Sequence, residues 1–312
     1  MDVAAIHEEN WCMWELRHEL DNQMMILEWL ARRGLIRNSN DCNKCDDTSF
    51  SLNTYKQGVD GYRWACKCCK ATKSVRDQSF FGKSHLSLSQ VLRILYGWSK
   101  DYTQQLIKHE AQLGINDVTI VDWCNFCREV CEADLIRNPS QVGGISEDGE
   151  PIVVEVDETK FFHRKYHRGE WNPGHWVFGG VERGSSKCFL IEVPDRTAPT
   201  LEALVLQFIL PGTHIVTDGW RSYGNLARIG NGIYTHSIVN HTDNFVDRDH
   251  PETHTQAVEG FWMHAKRKIR RQLGTSEALF PSYMHEFLWR WRHKNMDLFA
   301  ALISCINDQY PL

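Results

Sequence analysis

Apolar positions along the chain change period from one block to the next. Trp11, Trp14, Leu16, Leu20, Met24, Leu27, Trp29 and Leu30 recur at helical spacing and Gly34 offers a stop, so residues 1 to about 37 predict helix. Phe50, Tyr62 and Trp64 then stand apart among polar residues, as in short strands. Leu86, Leu88, Val91, Leu92, Leu95 and Trp98 predict a helix, and Tyr102 to Leu113 a second one ended by Gly114. Asn116 or Asp117 caps a third, which carries Val118, Val121, Cys124, Cys127 and Cys131. Beyond a linker of Asn138, Pro139, Gly143, Gly144 and the acidic run Glu147 to Glu150, the pattern turns to strands. These are Ile152 to Val156, Trp176 to Glu182, Cys188 to Val193 and His214 to Thr217, with a helix from Leu201 to Leu210 before the last and another around Glu259. The aromatic, helical stretch Tyr283 to Ile306 is expected to cap the sheet these strands form.

At 312 residues the chain can bury more than one core. Its 42% hydrophobic and 24% charged content is ordinary for a water-soluble protein, and runs such as Ala203 to Leu206 are far too short to cross a bilayer. The start, with Asp2, Glu8 and Glu9, has neither the cationic opening nor the apolar core of a secretory signal. Eleven cysteines, an odd number, argue against a secreted disulfide framework and for a reducing compartment. The net charge of -5 counts against general affinity for nucleic acid, so local charge matters more than the total.

Part of the cysteine usage has metal-site spacing. Cys42-Asn43-Lys44-Cys45 and Cys66-Lys67-Cys68-Cys69 are two knuckles, each able to offer two thiolates from one tight turn. Cys42, Cys45, Cys66 and Cys69 are the expected ligands of one structural Zn²⁺ in a zinc ribbon, with Cys68 spare. A ribbon this small cannot hold itself together without metal. Lys67, Lys70, Lys73 and Arg76 either face phosphate or form a solvated edge. The three helices that follow suggest a helix-turn-helix, although Asp122, Glu129, Glu132 and Asp134 are poor chemistry for a major groove. Cys124, Cys127 and Cys131 share a helical face that belongs in a core rather than at a second metal.

Strand order in the last block (strand, strand, strand, helix, strand, helix) is that of a ribonuclease H-like mixed sheet. Asp157 and Asp218 each follow an apolar strand, and Glu259 stands on the later helix. An aspartate after a strand is by itself more often a turn former or cap. Three acids in this order, however, suit two Mg²⁺ ions, with Mn²⁺ as an alternative, for in-line phosphodiester cleavage. Asp157 would bridge, with Asp218 on one ion and Glu259 on the other. Glu155 and Glu158 are the nearest substitutes for Asp157, and Glu155 shares its face. Lys160, His163, Arg164, Lys165, His167 and Arg168 follow the first acid; Lys266, Arg267, Lys268, Arg270 and Arg271 follow the third. Such patches would draw phosphate to the acids, with His254 a further phosphate contact. Trp171, Trp176, Trp220 and Trp262 are read as core in preference to base-stacking platforms.

Asp157-Glu158-Thr159, the block Thr217-Asp218-Gly219-Trp220-Arg221-Ser222-Tyr223, and His254-Thr255 followed by Glu259-Gly260-Phe261-Trp262 and Lys266 resemble the signature of Merlin-type DDE transposases and their bacterial insertion-sequence relatives. Trp64, Cys66, Cys69, Ser74-Val75-Arg76 and Phe80-Phe81 resemble the zinc ribbon of the same proteins. The family often has Asn where this chain has Gln256, longer by one methylene but still an amide. The resemblance implies that Asp157, Asp218 and Glu259 are the catalytic triad and that Lys266 contacts DNA near the cut. It further implies cutting at terminal inverted repeats and joining of 3′-OH ends to target DNA. The expected organisation is multidomain α+β: a helix over 1–40, the ribbon over 41–82, a helix-turn-helix-like domain over 83–140, and a ribonuclease H-like catalytic domain over 150–312. The expected partner is double-stranded DNA, bound by a homodimer or higher assembly, in the nucleus of a eukaryotic host or the cytoplasm of a bacterial one. A domesticated DNA-binding protein that has lost the reaction, and a structure-selective nuclease, are the alternatives.

Overall fold

The computed structural model describes residues 6, 9–42, 44–45, 50–162, 174–239, 254–272 and 276–312. The chain forms two compact units, one of Met1–Asp134 with His293–Leu312 and one of Leu135–Arg292.

In the first unit the opening helical stretch is broken into α1 (Met13–Leu20) and α2 (Gln23–Arg32). The expected continuous helix fails at Asn22, whose side chain takes the Met24 N–H at 2.8 Å and starts α2 afresh. β1 (Phe50–Thr54), β2 (Tyr62–Cys66) and β3 (Thr72–Ser74) form an antiparallel sheet in that order. Arg76 is not a phosphate-facing cation. It is buried, its Nε meets Asp60 Oδ2 at 2.6 Å, and its guanidinium also donates to the Ser84 and Leu86 carbonyls. Helix α3 (Leu88–Ser99) opens on a capping box of Ser87 and Gln90, α4 (Gln104–Glu110) on Thr103, and α5 (Val118–Arg137) carries the chain into the second unit. Cys124, Cys127 and Cys131 are buried on α5.

The second unit is built on a mixed sheet. β5 (Val153–Phe161), β6 (His175–Glu182) and β7 (Cys188–Val193) run antiparallel, and β9 (His214–Asp218) and β10 (Thr235–Val239) add in parallel beside β5. The spatial order β10-β9-β5-β6-β7 is, in chain positions, 3-2-1-4-5 read from the β7 edge. The apolar pattern of the chain does not predict β10, whose residues Thr235–Val239 are mostly polar or half-buried. α6 (Ala198–Phe208) covers one face over a core of Val154, Val156, Phe178, Phe189, Leu201, Val205 and Ile215. α7 (Gln256–Arg270) and α8 (Phe280–Arg292) lie on the other, where Phe161 meets the Trp262 and Phe280 rings.

The stretch read as linker contains β4 (Val142–Gly143), paired in parallel with β8 (Ile209–Leu210). Gly143 N–H and Gly144 N–H are taken by Glu182 at 2.9 Å and Thr213 Oγ1 at 2.7 Å, so a glycine-rich run is held by side chains from elsewhere. The helix read as Leu201 to Leu210 spans Ala198–Phe208, its end being drawn off into β8. The C-terminal stretch does not cap the sheet as a whole. α8 does, but α9 (Leu298–Gln309) packs with α3 in the first unit. Phe299 through Ile306 are all buried, so α9 needs apolar neighbours on every side, which an outer layer of a sheet does not supply.

Candidate active site

β5 is longer than the apolar run that predicted it, so Asp157 sits inside the strand and not at its end. The pairing with β9 explains why the position is nonetheless special. Val153, Val154 and Glu155 lie opposite His214, Ile215 and Val216, and the same register carried two residues on sets Asp157 level with Asp218, the last residue of β9. β5 continues, paired with β6, while β9 stops. Asp157 therefore occupies the C-terminal lip of the parallel half of the sheet, where open α/β sheets keep their reactive groups.

Alternation then sorts the acids by face. Val154 and Val156 enter the core under α6, so Glu155, Asp157 and Phe161 face α7. Ile215 shares the α6 side, so Asp218 faces the same way as Asp157. Glu158 points to the α6 side, where Tyr223 Oη donates to it and Arg196 Nη1 meets it at 3.1 Å. Glu155 is fully buried and committed: it accepts Arg183 Nε at 2.6 Å, lies 3.2 Å from His254 Nδ1, and accepts the Val258 N–H at 2.9 Å. Val258 is in the first turn of α7, where N–H groups lack helical partners. A strand carboxylate thus caps the helix that bears Glu259.

The same helix reaches back to the first acid. Trp262 Nε1 donates to Asp157 Oδ2 at 3.0 Å. The indole gets that close because residue 179, opposite Asp157 in register, is glycine; a Cβ there would lie 2.8 Å from the ring. Glu259 is three residues before Trp262 and exposed, with its Oε1 accepting from Thr255 Oγ1 at 3.0 Å. Asp218 Oδ1 accepts the Trp220 N–H at 2.9 Å.

Burial, followed by the negative charges of Glu158 and Asp218, pushes the Asp157 carboxyl up to about 7. Burial also raises Glu158, with Asp218 adding to it, although the Tyr223 bond and Arg196 oppose. Mutually repelling acids on one lip suit a hard cation, which prefers carboxylate oxygen. Among the described residues, Asp157, Asp218 and Glu259 do not form a group whose ligand atoms all lie within 4.8 Å of one another. A pair of ions about 3.5–4 Å apart, each with oxygen ligands near 2.1 Å, tolerates outer carboxylates up to about 8 Å apart, so a two-ion site does not require that grouping.

The surrounding cations divide. Lys266, two turns beyond Glu259, has its Nζ 6.0 Å from the Phe161 ring, and Lys266, Arg267, Arg270, Arg271 and Met263 line one surface depression. Lys268 does not join them, because it is bound to the buried Glu286 at 3.0 Å. His254 has its Nδ1 within reach of Glu155 and Arg183, so its first task is in the helix anchor. Arg164 and Lys165, with His163, His167, Arg168 and Trp171, lie outside the described residues. Trp176 and Trp220 both pack against the Arg196 guanidinium, at 3.8 and 4.6 Å to the ring centroids. No local signal marks the roles of Glu155, Gly179 and Trp262, because each depends on a partner roughly 20 to 105 residues away.

In the first unit, Cys42, Cys45, Cys66 and Cys69 come together. Cys42 Sγ is 3.4 Å from Cys69 Sγ and Cys45 Sγ 3.5 Å from Cys66 Sγ, near the roughly 3.8 Å expected between thiolates on one tetrahedral Zn²⁺. The Lys44 N–H reaches Cys42 Sγ at 3.4 Å, favouring a thiolate there. Cys68 is exposed and outside the group. The set is compatible with zinc.

Residues 142–292 match the ISXO2-like transposase domain, of the DDE type named for IS1595. An uncharacterized transposase-like protein of Haemophilus influenzae is 26% identical over 110 residues, 35% of this chain and 85% of that protein. Male abnormal protein mab-31 of Caenorhabditis elegans is 23% identical over 235 residues, 68% of this chain but 53% of its own length, so the chain spans about half of that protein. Among solved structures, the catalytic core domain of BIV integrase aligns at 15% identity and a TM-score of 0.31, covering 43% of this chain and 80% of that one. The simian T-cell lymphotropic virus intasome in complex with PP2A regulatory subunit B56 gamma aligns at 14% and 0.33, covering 64% and 67%. The domain match and the transposase-like relative support an IS1595-type transposase family.

Proposed function

We propose that the chain is a DDE transposase that cuts DNA at the terminal inverted repeats of an element and joins the freed 3′-OH ends to target DNA. Asp157, Asp218 and Glu259 are its metal-holding triad. Two Mg²⁺ bound there would activate the attacking oxygen and stabilise charge on the leaving one. In the first step water attacks phosphorus, the P–O3′ bond breaks and the 3′ oxygen takes a proton. In the second that 3′-OH attacks a target phosphodiester, and the target's own 3′ oxygen leaves.

One observation carries this reading: the Trp262–Asp157 hydrogen bond pins the Glu259 helix to the strand of the first acid at the level where β9 delivers the second. Around it, Thr255 orients Glu259, the Trp220 N–H orients Asp218, and Trp262 holds one Asp157 oxygen. Lys266, Arg267 and Arg270 would take the DNA backbone, with Arg164, Lys165 and His254 as further proposed DNA contacts. The Cys42–Cys45–Cys66–Cys69 ribbon, holding one structural Zn²⁺, and the helices after it would bind the element's ends. The motif resemblance favours the Merlin type within this group and a homodimer or larger assembly on DNA, acting in the nucleus of a eukaryotic host or the cytoplasm of a bacterial one.

The test is cleavage of DNA carrying the element's ends in the presence of Mg²⁺. Wild type should nick at the repeat ends and transfer strands; Asp157→Ala, Asp218→Ala and Glu259→Ala should bind but not cut. Binding without cleavage by wild type would instead indicate a domesticated DNA-binding protein, and cleavage without transfer a nuclease.

A further inference from the structure

We propose that Asp134, His293 and Cys305 form a second metal site, for a borderline-soft divalent cation of the zinc class. A carboxylate oxygen, an imidazole nitrogen and a thiol sulfur from these residues lie within 4.8 Å of one another. They are the other such group besides the ribbon cysteines among the described residues. The donor set fits zinc: all three are its ordinary ligands, and three protein ligands leave a fourth position for water or another group. Thiolate selects against Mg²⁺ and Ca²⁺, so this site and the carboxylate lip would not compete for one ion. Asp134 and Cys305 as anions, with a neutral imidazole, balance a divalent charge.

Cys305 is 4% exposed on α9, and Asp134 is near the end of α5. Gln309 Nε2 donates to the Val130 carbonyl at 2.8 Å, fastening α9 to α5 one turn from Asp134. At its other end α9 is capped by Asp297, which accepts the Phe299 and Ala300 N–H groups at 3.0 Å. The place in the chain gives the site a purpose. Asp134 is the last residue of the first unit before the chain leaves it, and His293 is the first on its return. An ion bridging them ties together the two separate pieces of that unit, closing a long loop that chain entropy would otherwise oppose.

The experiment is metal content of the full chain after zinc loading and desalting, by elemental analysis and native mass spectrometry. Cys305→Ser, His293→Gln and Asp134→Asn should each hold one zinc fewer per chain than wild type. In the cobalt-loaded protein, Cys305→Ser should lose thiolate-to-cobalt absorption while His293→Gln loses intensity in the visible bands. His293→Gln and Asp134→Asn do not disturb the buried thiol, so they report even if Cys305→Ser fails to fold. Equal metal content in wild type and these two variants would overturn the proposal, leaving a carboxylate and an imidazole beside a packed cysteine. The outcome is independent of whether the chain cuts DNA.

Discussion

The Glu155 carboxylate accepts the Val258 N–H at 2.9 Å across 103 positions of sequence, and this bond fixes where Glu259 begins its approach to the sheet. Glu155 was the nearest rival to Asp157 as a metal ligand. Its burial and its partners Arg183, His254 and Val258 assign it to holding the helix. Glu155→Gln keeps the shape but removes the charge facing Arg183. Cleavage should fall about 10²-fold from misplacement of the Glu259 helix, with DNA affinity nearly unchanged. Single-turnover cleavage beside a binding titration checks this; equal losses in both would mean general unfolding.

Gly179 is the gap through which Trp262 reaches Asp157. Gly179→Ala places a methyl 2.8 Å from the indole and 3.1 Å from the Phe189 carbonyl oxygen. Overpacking should cost about 1–3 kcal/mol in unfolding free energy, and cleavage should drop by more than stability explains. Denaturant melts and cleavage rates on the same samples separate the two effects.

The raised Asp157 carboxyl sets a pH dependence for metal. With its pKa near 7 in the metal-free fold, a cation must displace a proton below that pH. Mg²⁺ or Mn²⁺ affinity should therefore rise as pH goes from 5.5 toward about 7 and level off above it. For stability the sign is opposite: the folded state holds the proton more tightly than the unfolded chain, so without metal stability falls between about pH 4 and 7. Calorimetry in buffers of different ionisation enthalpy should show proton release on binding at pH 6 and little at pH 8. Asp157→Asn should abolish the release.

Removing metal from the ribbon should unfold it. β1 to β3 form a small sheet around Cys42, Cys45, Cys66 and Cys69, and structural zinc contributes on the order of 10 kcal/mol to domains of this kind. Strong chelation, or Cys45→Ser, should release hydrogen-exchange protection over residues 50–74, while Cys68→Ser should not.

Local pattern determined a good deal. Knuckle spacing identified the four cysteines that cluster, and the periods of apolar residues located most strands and helices, because both signals are written within a few residues of one another. The order of Asp157, Asp218 and Glu259 along the chain, each beside a strand or on the later helix, is likewise read from local pattern. Folding decided what each neighbouring acid does. Glu155, Asp157 and Glu158 look alike in the chain, and what separates them is the layer each meets: the α7 backbone, the carboxylate lip beside β9, or Tyr223 and Arg196 beneath α6. The linker that became β4 and the C-terminal helix that joined the first unit were set the same way, by backbone and apolar groups that find partners far off along the chain. Such partners are chosen by the assembled core and leave no trace in local spacing.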